Sequence, residues 1–209
     1  ALLRALHTQA PKDPEIYRTL LLYLRESHRL DEARRLALAR SMALPNDPEG
    51  YLDFIAICAL AGEVARQNDA VDDYLRQFAL QTDALTRLAA WAAKTGSANL
   101  AWRIVELCPL GSEAARHTRL LALEAELSLK TYAEADRRAE EALTGNHGWT
   151  PPQKLTLLGL QGAAKIGLDK LAEGQALISR MLDSNMVSAP SLTSIARQVR
   201  RAGDSSSAI

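Results

Sequence analysis

At 209 residues, 47% apolar and 24% charged, the chain is long enough to bury a substantial core and too apolar for intrinsic disorder. Its 25 Lys and Arg balance its 25 Asp and Glu, which excludes the basic excess that draws a protein to nucleic acid or an anionic membrane surface. The longest apolar run, residues 54–62 (FIAICALAG), is about half of the ~20 residues a spanning helix needs, so no membrane insertion by this segment is expected.

Residues 1–13 (ALLRALHTQAPKD) read as the tail of the second helix of an earlier helix pair, with Leu3 and Pro11 in register. Asp13-Pro14-Glu15 then opens a helix, placing a carboxylate at the N-cap and proline at the first helical position, where its missing N–H costs nothing. The same entrance returns 34 residues later as Asp47-Pro48-Glu49. Cutting at that step gives starts at Pro14, Pro48, Thr82 and Arg116, and a slightly longer step gives Gln153 and Ala189.

Counted from each start, position fifteen reads His28, Gly62, Gly96, Lys130, Gly167 and Gly203. This is where the first helix of each unit should stop and the chain enter the left-handed region. Position twenty is Ala33, Gln67, Ala101, Ala135, Ala172 and Ala208, and position twenty-four is Ala37, Val71, Val105, Ala139 and Ala176. Small side chains there predict helices crossing at short range. Between these marks apolar residues recur at three- and four-residue spacing, and no stretch alternates with period two. The class is all-α.

The stretch 144–152 (TGNHGWTPP) reads as a lengthened turn between units rather than a linker. Trp149 within it is either an exposed anchor for a partner or, as the favoured reading, packed beneath the loop. Residues 204–207 (DSSS) read as another helix start. With no polar capping unit at either end, the segment is expected to be an ordered piece of a longer array.

Sites of chemistry are scarce. The sequence holds no GxSxG, HExxH or glycine-rich phosphate loop. His7, His28, His117 and His147 fall in different units, with His28 and His147 expected in solvent. Cys58 and Cys108 lie too far apart for a metal knuckle and are too few for a disulfide scaffold, so both are expected to be buried small apolar residues. The pairs Asp72-Asp73 and Glu140-Glu141 are expected on solvated faces, and Trp91 and Trp102 in packing. No catalytic residue, metal or cofactor is predicted. The cluster Arg197, Arg200 and Arg201 suits an acidic segment of a protein partner better than nucleic acid, since only 5% of the chain is aromatic.

The 34-residue period, the small residue at position twenty, the glycine or its stand-in at position fifteen and the prolines Pro11 and Pro45 together resemble the tetratricopeptide repeat family over essentially the whole chain. The repeats are degenerate. Leu21, Ile55 and Leu123 replace the usual glycine at position eight, alanine occupies position twenty-seven only at Ala142, and Arg119 and Glu126 stand where apolar residues are expected.

The resemblance implies a single α-solenoid of helix-turn-helix pairs coiled into a right-handed superhelix, with partial repeats at 1–13 and 189–209. Its concave groove would be lined by the first helices through Arg18, Leu22, Arg25, Leu52, Ala56, Ala90, Lys94, Leu120, Glu124, Lys154, Gln161, Lys165, Arg197, Arg200 and Arg201. Such a groove, apolar in the middle and basic at its ends, would hold another protein as a non-catalytic scaffold. Arg18 and Leu22 do not reproduce the lysine and asparagine clamp with which some members hold a C-terminal carboxylate. Arginine outnumbers lysine 19 to 6, which suggests a bacterial source. Among similar bacterial arrays, one group forms the periplasmic part of exopolysaccharide export machines. The alternative is a sensor or oligomerisation arm of a cytoplasmic regulator.

Overall fold

A computed structural model describes residues 2–145, 147–184 and 186–206. Among the described residues twelve helices follow one another and no strand occurs. They are α1 (Leu2–Gln9), α2 (Pro14–Glu26), α3 (Leu30–Ala43), α4 (Pro48–Leu60), α5 (Val64–Phe78), α6 (Thr82–Thr95), α7 (Ala98–Leu107), α8 (Glu113–Ser128), α9 (Tyr132–Thr144), α10 (Pro151–Gly167), α11 (Leu171–Leu182) and α12 (Ala189–Ser206). The chain forms two compact units, Ala1–Ala84 and Leu85–Ile209.

Local chemistry sets the helix starts. The Asp13 carboxylate accepts from the backbone N–H groups of Glu15 (2.9 Å) and Ile16 (3.1 Å), and Asp47 accepts from Glu49 (3.1 Å). Four predicted starts, Pro14, Pro48, Thr82 and Ala189, coincide with observed ones. Two lie earlier than the period predicts. Ser112 takes the N–H of Ala115 at 3.0 Å, so α8 begins at Glu113 rather than Arg116. Gln153 accepts from the N–H of Thr150 at 3.1 Å, so α10 begins at Pro151.

The turn inside each pair is a repeated structure. His28, Gly62, Gly96 and Lys130 have φ of 55°, 71°, 71° and 63°, a left-handed conformation that costs a residue with a Cβ roughly 1–2 kcal/mol. The residue after each donates its N–H five positions back: Arg29 to Leu24, Glu63 to Cys58, Ser97 to Ala92 and Thr131 to Glu126, at 2.8–3.0 Å. This bond satisfies a carbonyl that the helix end would otherwise orphan.

The fifth turn departs from the expected place. Gly167 is the last residue of α10, Asp169 has φ 60°, and Lys170 makes the five-back bond to Lys165 at 2.9 Å. The helix crossing that follows shifts by the same two residues, while α12 still begins at the predicted Ala189. Ala172 and Ala176, expected in a tight crossing, are exposed. Gly174 makes the crossing instead, since a Cβ there would lie 2.6 Å from the Gly162 carbonyl oxygen. Gly203 ends nothing either, because α12 continues through it to Ser206, so residues 204–206 close one helix rather than start another. Ser207 and Ala208 lie outside the described residues.

Elsewhere the small positions behave as expected. Ala33, Ala37, Ala101, Ala135 and Ala139 are all buried. In the first unit α3 and α4 nearly touch backbones, and a Cβ on Gly50 would sit 2.8 Å from the Ser41 nitrogen. The core there comprises Tyr17, Leu20, Leu21, Leu24 and Ile57 with the two alanines. In the second unit α10 packs on α8, α9, α11 and α12, around Leu123, Leu127, Leu157, Leu160, Met181 and Ile195. Trp91 and Trp102 pack against the cluster of Ala92, Ala101, Val105 and Ala122. Trp149 is packed under its loop and donates Nε1–H to the Ala142 carbonyl at 2.8 Å. Cys58 and Cys108 are both buried free thiols.

Candidate partner-binding cleft

The fifteen groove residues meet different fates. Arg18, Leu22 and Arg25 are exposed on α2, and Arg18 pairs with Glu49 (2.6 Å) and Glu15 (3.0 Å). Leu52 and Ala56 are half-buried on α4. In the second unit Ala90 is half-buried and Lys94 exposed on α6, Leu120 and Glu124 are half-buried on α8, and Lys154 is exposed on α10. Gln161 and Lys165 turn toward neighbouring second helices: Gln161 Nε2 donates to Asp136 Oδ1 (3.0 Å), and Lys165 Nζ reaches Asp136 (3.2 Å) and Glu173 (3.1 Å).

Arg197, Arg200 and Arg201 are exposed on α12, yet α12 itself lies against α8. Gln198 donates to Ser128 Oγ at 3.2 Å and Arg201 to the same oxygen at 2.9 Å. Burial there raises the Glu124 carboxyl above its usual range, opposed by a hydrogen bond from Ser194 and the charges of Arg197 and His117. The face of α8 around residues 124–128 is therefore covered by α12.

In the first unit a buried polar network fixes three helices. Tyr17, fully buried, donates its hydroxyl to Asp53 Oδ2 at 2.8 Å. Arg40 lies 4.3 Å from the centroid of the Tyr17 ring and donates to Asp47 (3.0 Å) and Glu49 (2.8 Å). Burial raises Asp53, although the Tyr17 bond and Arg25 and Arg40 pull the other way. Burial, then Asp53, raises Tyr17 far enough that its proton stays put at any physiological pH. This chemistry is structural, since solvent does not reach the ring.

Beside that network, which ties α3 to α4, the helices α3, α4 and α5 enclose a cleft of about 260 Å³. Its floor is Tyr51 and Phe54 of α4, one wall is Leu38 and Ser41 of α3, and the other is Arg66, Asp69, Ala70 and Asp73 of α5. The Tyr51 ring meets buried Phe78 edge-on with centroids 5.2 Å apart, which fixes the floor. Leu38 remains 45% exposed, and Met42, one turn further along α3, 75% exposed. On the opposite wall Arg66 pairs with Glu63 and Asp73 with Arg76. Asp69 has no hydrogen-bond or ion-pair partner among the described residues. Apolar side chains thus stand open to solvent beside an uncompensated carboxylate.

The sequence reading placed the site on the first helices and missed this cleft, which the second helices border. One signal was present: Leu38 and Met42, four apart on α3, set two bulky apolar side chains one turn from each other.

Comparison with family models, with curated proteins and with solved structures finds no match. Among the described residues no group of three His, Cys, Asp or Glu is placed to hold a metal ion, and no helix is long and apolar enough to cross a membrane.

Proposed function

We propose that the chain is a non-catalytic adaptor of the tetratricopeptide-like solenoid type, which binds another protein through the α3–α4–α5 cleft. The recurrence of one left-handed turn and one five-back bond at 34-residue steps supports the solenoid reading. The observation that carries the binding reading is the open apolar cleft with half-exposed Leu38 in its wall and unpaired Asp69 on its rim. A partner segment would insert a bulky apolar side chain between Leu38 and Ala70, over Tyr51 and Phe54, and set a lysine or arginine against Asp69. Apolar burial would supply most of the affinity, and the charge pair at the rim mainly its register and rate.

Peptide display against the immobilised chain tests this. Enriched peptides should carry a large apolar residue flanked by Lys or Arg; Leu38→Glu should abolish their capture and Asp69→Lys should weaken it about tenfold or more. Both substitutions are on exposed positions, so thermal melts should stay within about 0.5 kcal/mol of the parent. Absence of enrichment, or capture indifferent to both variants, would refute the reading.

A further inference from the structure

The second unit contains another cleft, of about 300 Å³, lined by Trp102 and Glu106 of α7, Arg119 of α8, Arg138 and Glu141 of α9, and His147 of the following loop. Two of its charges are already engaged. Arg138 donates to the buried carboxylate of Glu126 and lays its guanidinium 4.4 Å from the Trp102 ring centroid. Glu141 accepts from Arg137.

Two charges are not engaged. Neither Arg119 nor Glu106 has a hydrogen-bond or ion-pair partner among the described residues. Arg119 is half-buried, and burial alone lowers its pKa, yet a guanidinium remains a cation at neutral pH. A half-buried guanidinium keeps only part of its hydration, so donors that no protein group occupies are left for a ligand carboxylate to accept from.

His147, expected in solvent, is half-buried. Its Nδ1 is buried without a hydrogen-bond partner, and its ring stands edge-on to Trp149 with centroids 6.4 Å apart. Burial, then the charge of Arg119, lowers its pKa, so the ring is neutral at pH 7 and contributes a hydrogen-bonding nitrogen rather than a second cation.

We propose that this cleft binds a small zwitterion of amino-acid size, its carboxylate meeting Arg119 and His147 and its ammonium group meeting Glu106. A simple anion would be repelled by Glu106 and Glu141, and a simple cation by Arg119. A molecule carrying both charges compensates both unpaired groups at once. The volume lies at the small end of ligand sites, which suits a free small molecule and is too tight for a nucleotide.

The test is calorimetric titration of the intact chain with three probes, β-alanine, acetate and methylamine, while the His147 imidazole resonances are followed by NMR. β-Alanine should bind about tenfold or more tightly than either single-charge probe and should shift the His147 signals. Arg119→Gln should weaken β-alanine by about tenfold or more without lowering the melting temperature. Glu106→Gln, at an exposed position, should weaken β-alanine while leaving acetate unchanged or tighter. Acetate matching β-alanine, no response of His147 to any probe at roughly tens of millimolar, or β-alanine binding indifferent to both variants would overturn the proposal.

Discussion

The α3–α4–α5 cleft and the α7–α8–α9 cleft occupy corresponding places, each formed by a second helix, the next first helix and its own second helix, and they differ in chemistry position by position. Counted along the repeat, Leu38 corresponds to Glu106, Tyr51 to Arg119, Ala70 to Arg138 and Asp73 to Glu141. Three apolar positions in one cleft are thus charged in the other, while the fourth is acidic in both. The helix-pair geometry makes the hollow, and side chains at a few fixed positions decide what it can take. The misfit residues of the fourth unit, Arg119 and Glu126, account for the difference: Arg119 lines the polar cleft, and buried Glu126 holds Arg138 beside it.

The sharpest way to break this comparison is to remove the ion pair that the apolar cleft lacks. Arg138→Ala makes the second cleft resemble the first at that position but strands the Glu126 carboxylate, only 5% exposed. Urea unfolding should show a loss of about 3 kcal/mol, with most of it recovered in Arg138→Ala/Glu126→Leu. Equal stability of the single variant and the parent would mean that Glu126 does not depend on Arg138.

Next in size is the crossing register. Ala101→Leu and Ala135→Leu place a large side chain at fully packed helix contacts and should each cost about 1–3 kcal/mol in thermal melts. Ala172→Leu, at the nominally equivalent position, should change stability by less than about 0.5 kcal/mol, because the fifth pair has shifted its crossing to Gly174. Similar losses at all three would restore an unbroken period.

The smallest expected effect concerns α12 on α8. Burial raises the folded-state pKa of Glu124 above its ordinary 4.5. As pH rises from 4.5 toward that raised value, the unfolded chain ionises first, so this group's contribution turns progressively destabilising and stays so above the window. Below the window both states are protonated and the contribution vanishes. Glu124→Gln should therefore gain stability relative to the parent as pH rises through that interval, read from melts at several pH values. A difference independent of pH would show that α12 does not desolvate Glu124.

The all-α class and the helix-pair period were legible because they rest on local chemistry. Asp-Pro entrances, an apolar stripe and a left-handed stop after a fixed number of residues need no knowledge of distant contacts. The two-residue slip at Asp169 was hidden because Gly167 and Gly203 carry the residue type of a stop without being stops. A glycine permits the left-handed turn but does not require it, and here the close approach of Gly174 to Gly162 decides where α10 gives way to α11. Gln161 and Lys165 were assigned to an open groove because nothing nearby in sequence reveals Asp136, their partner on α9. Both clefts escaped for the same reason, each being assembled from three helices whose residues are read as three separate polar or apolar faces. Only the departures at Arg119 and Glu126 announced themselves, as charges where the repeat asks for apolar side chains.

The most direct test of the account is a charge exchange across the rim of the apolar cleft. A selected peptide that binds through a lysine should lose about tenfold or more in affinity on Asp69→Lys, and should recover it when that lysine is changed to glutamate, as measured by calorimetry. An affinity unmoved by Asp69→Lys, or a loss that the reversed peptide does not repair, would contradict the placement of the partner over α3, α4 and α5.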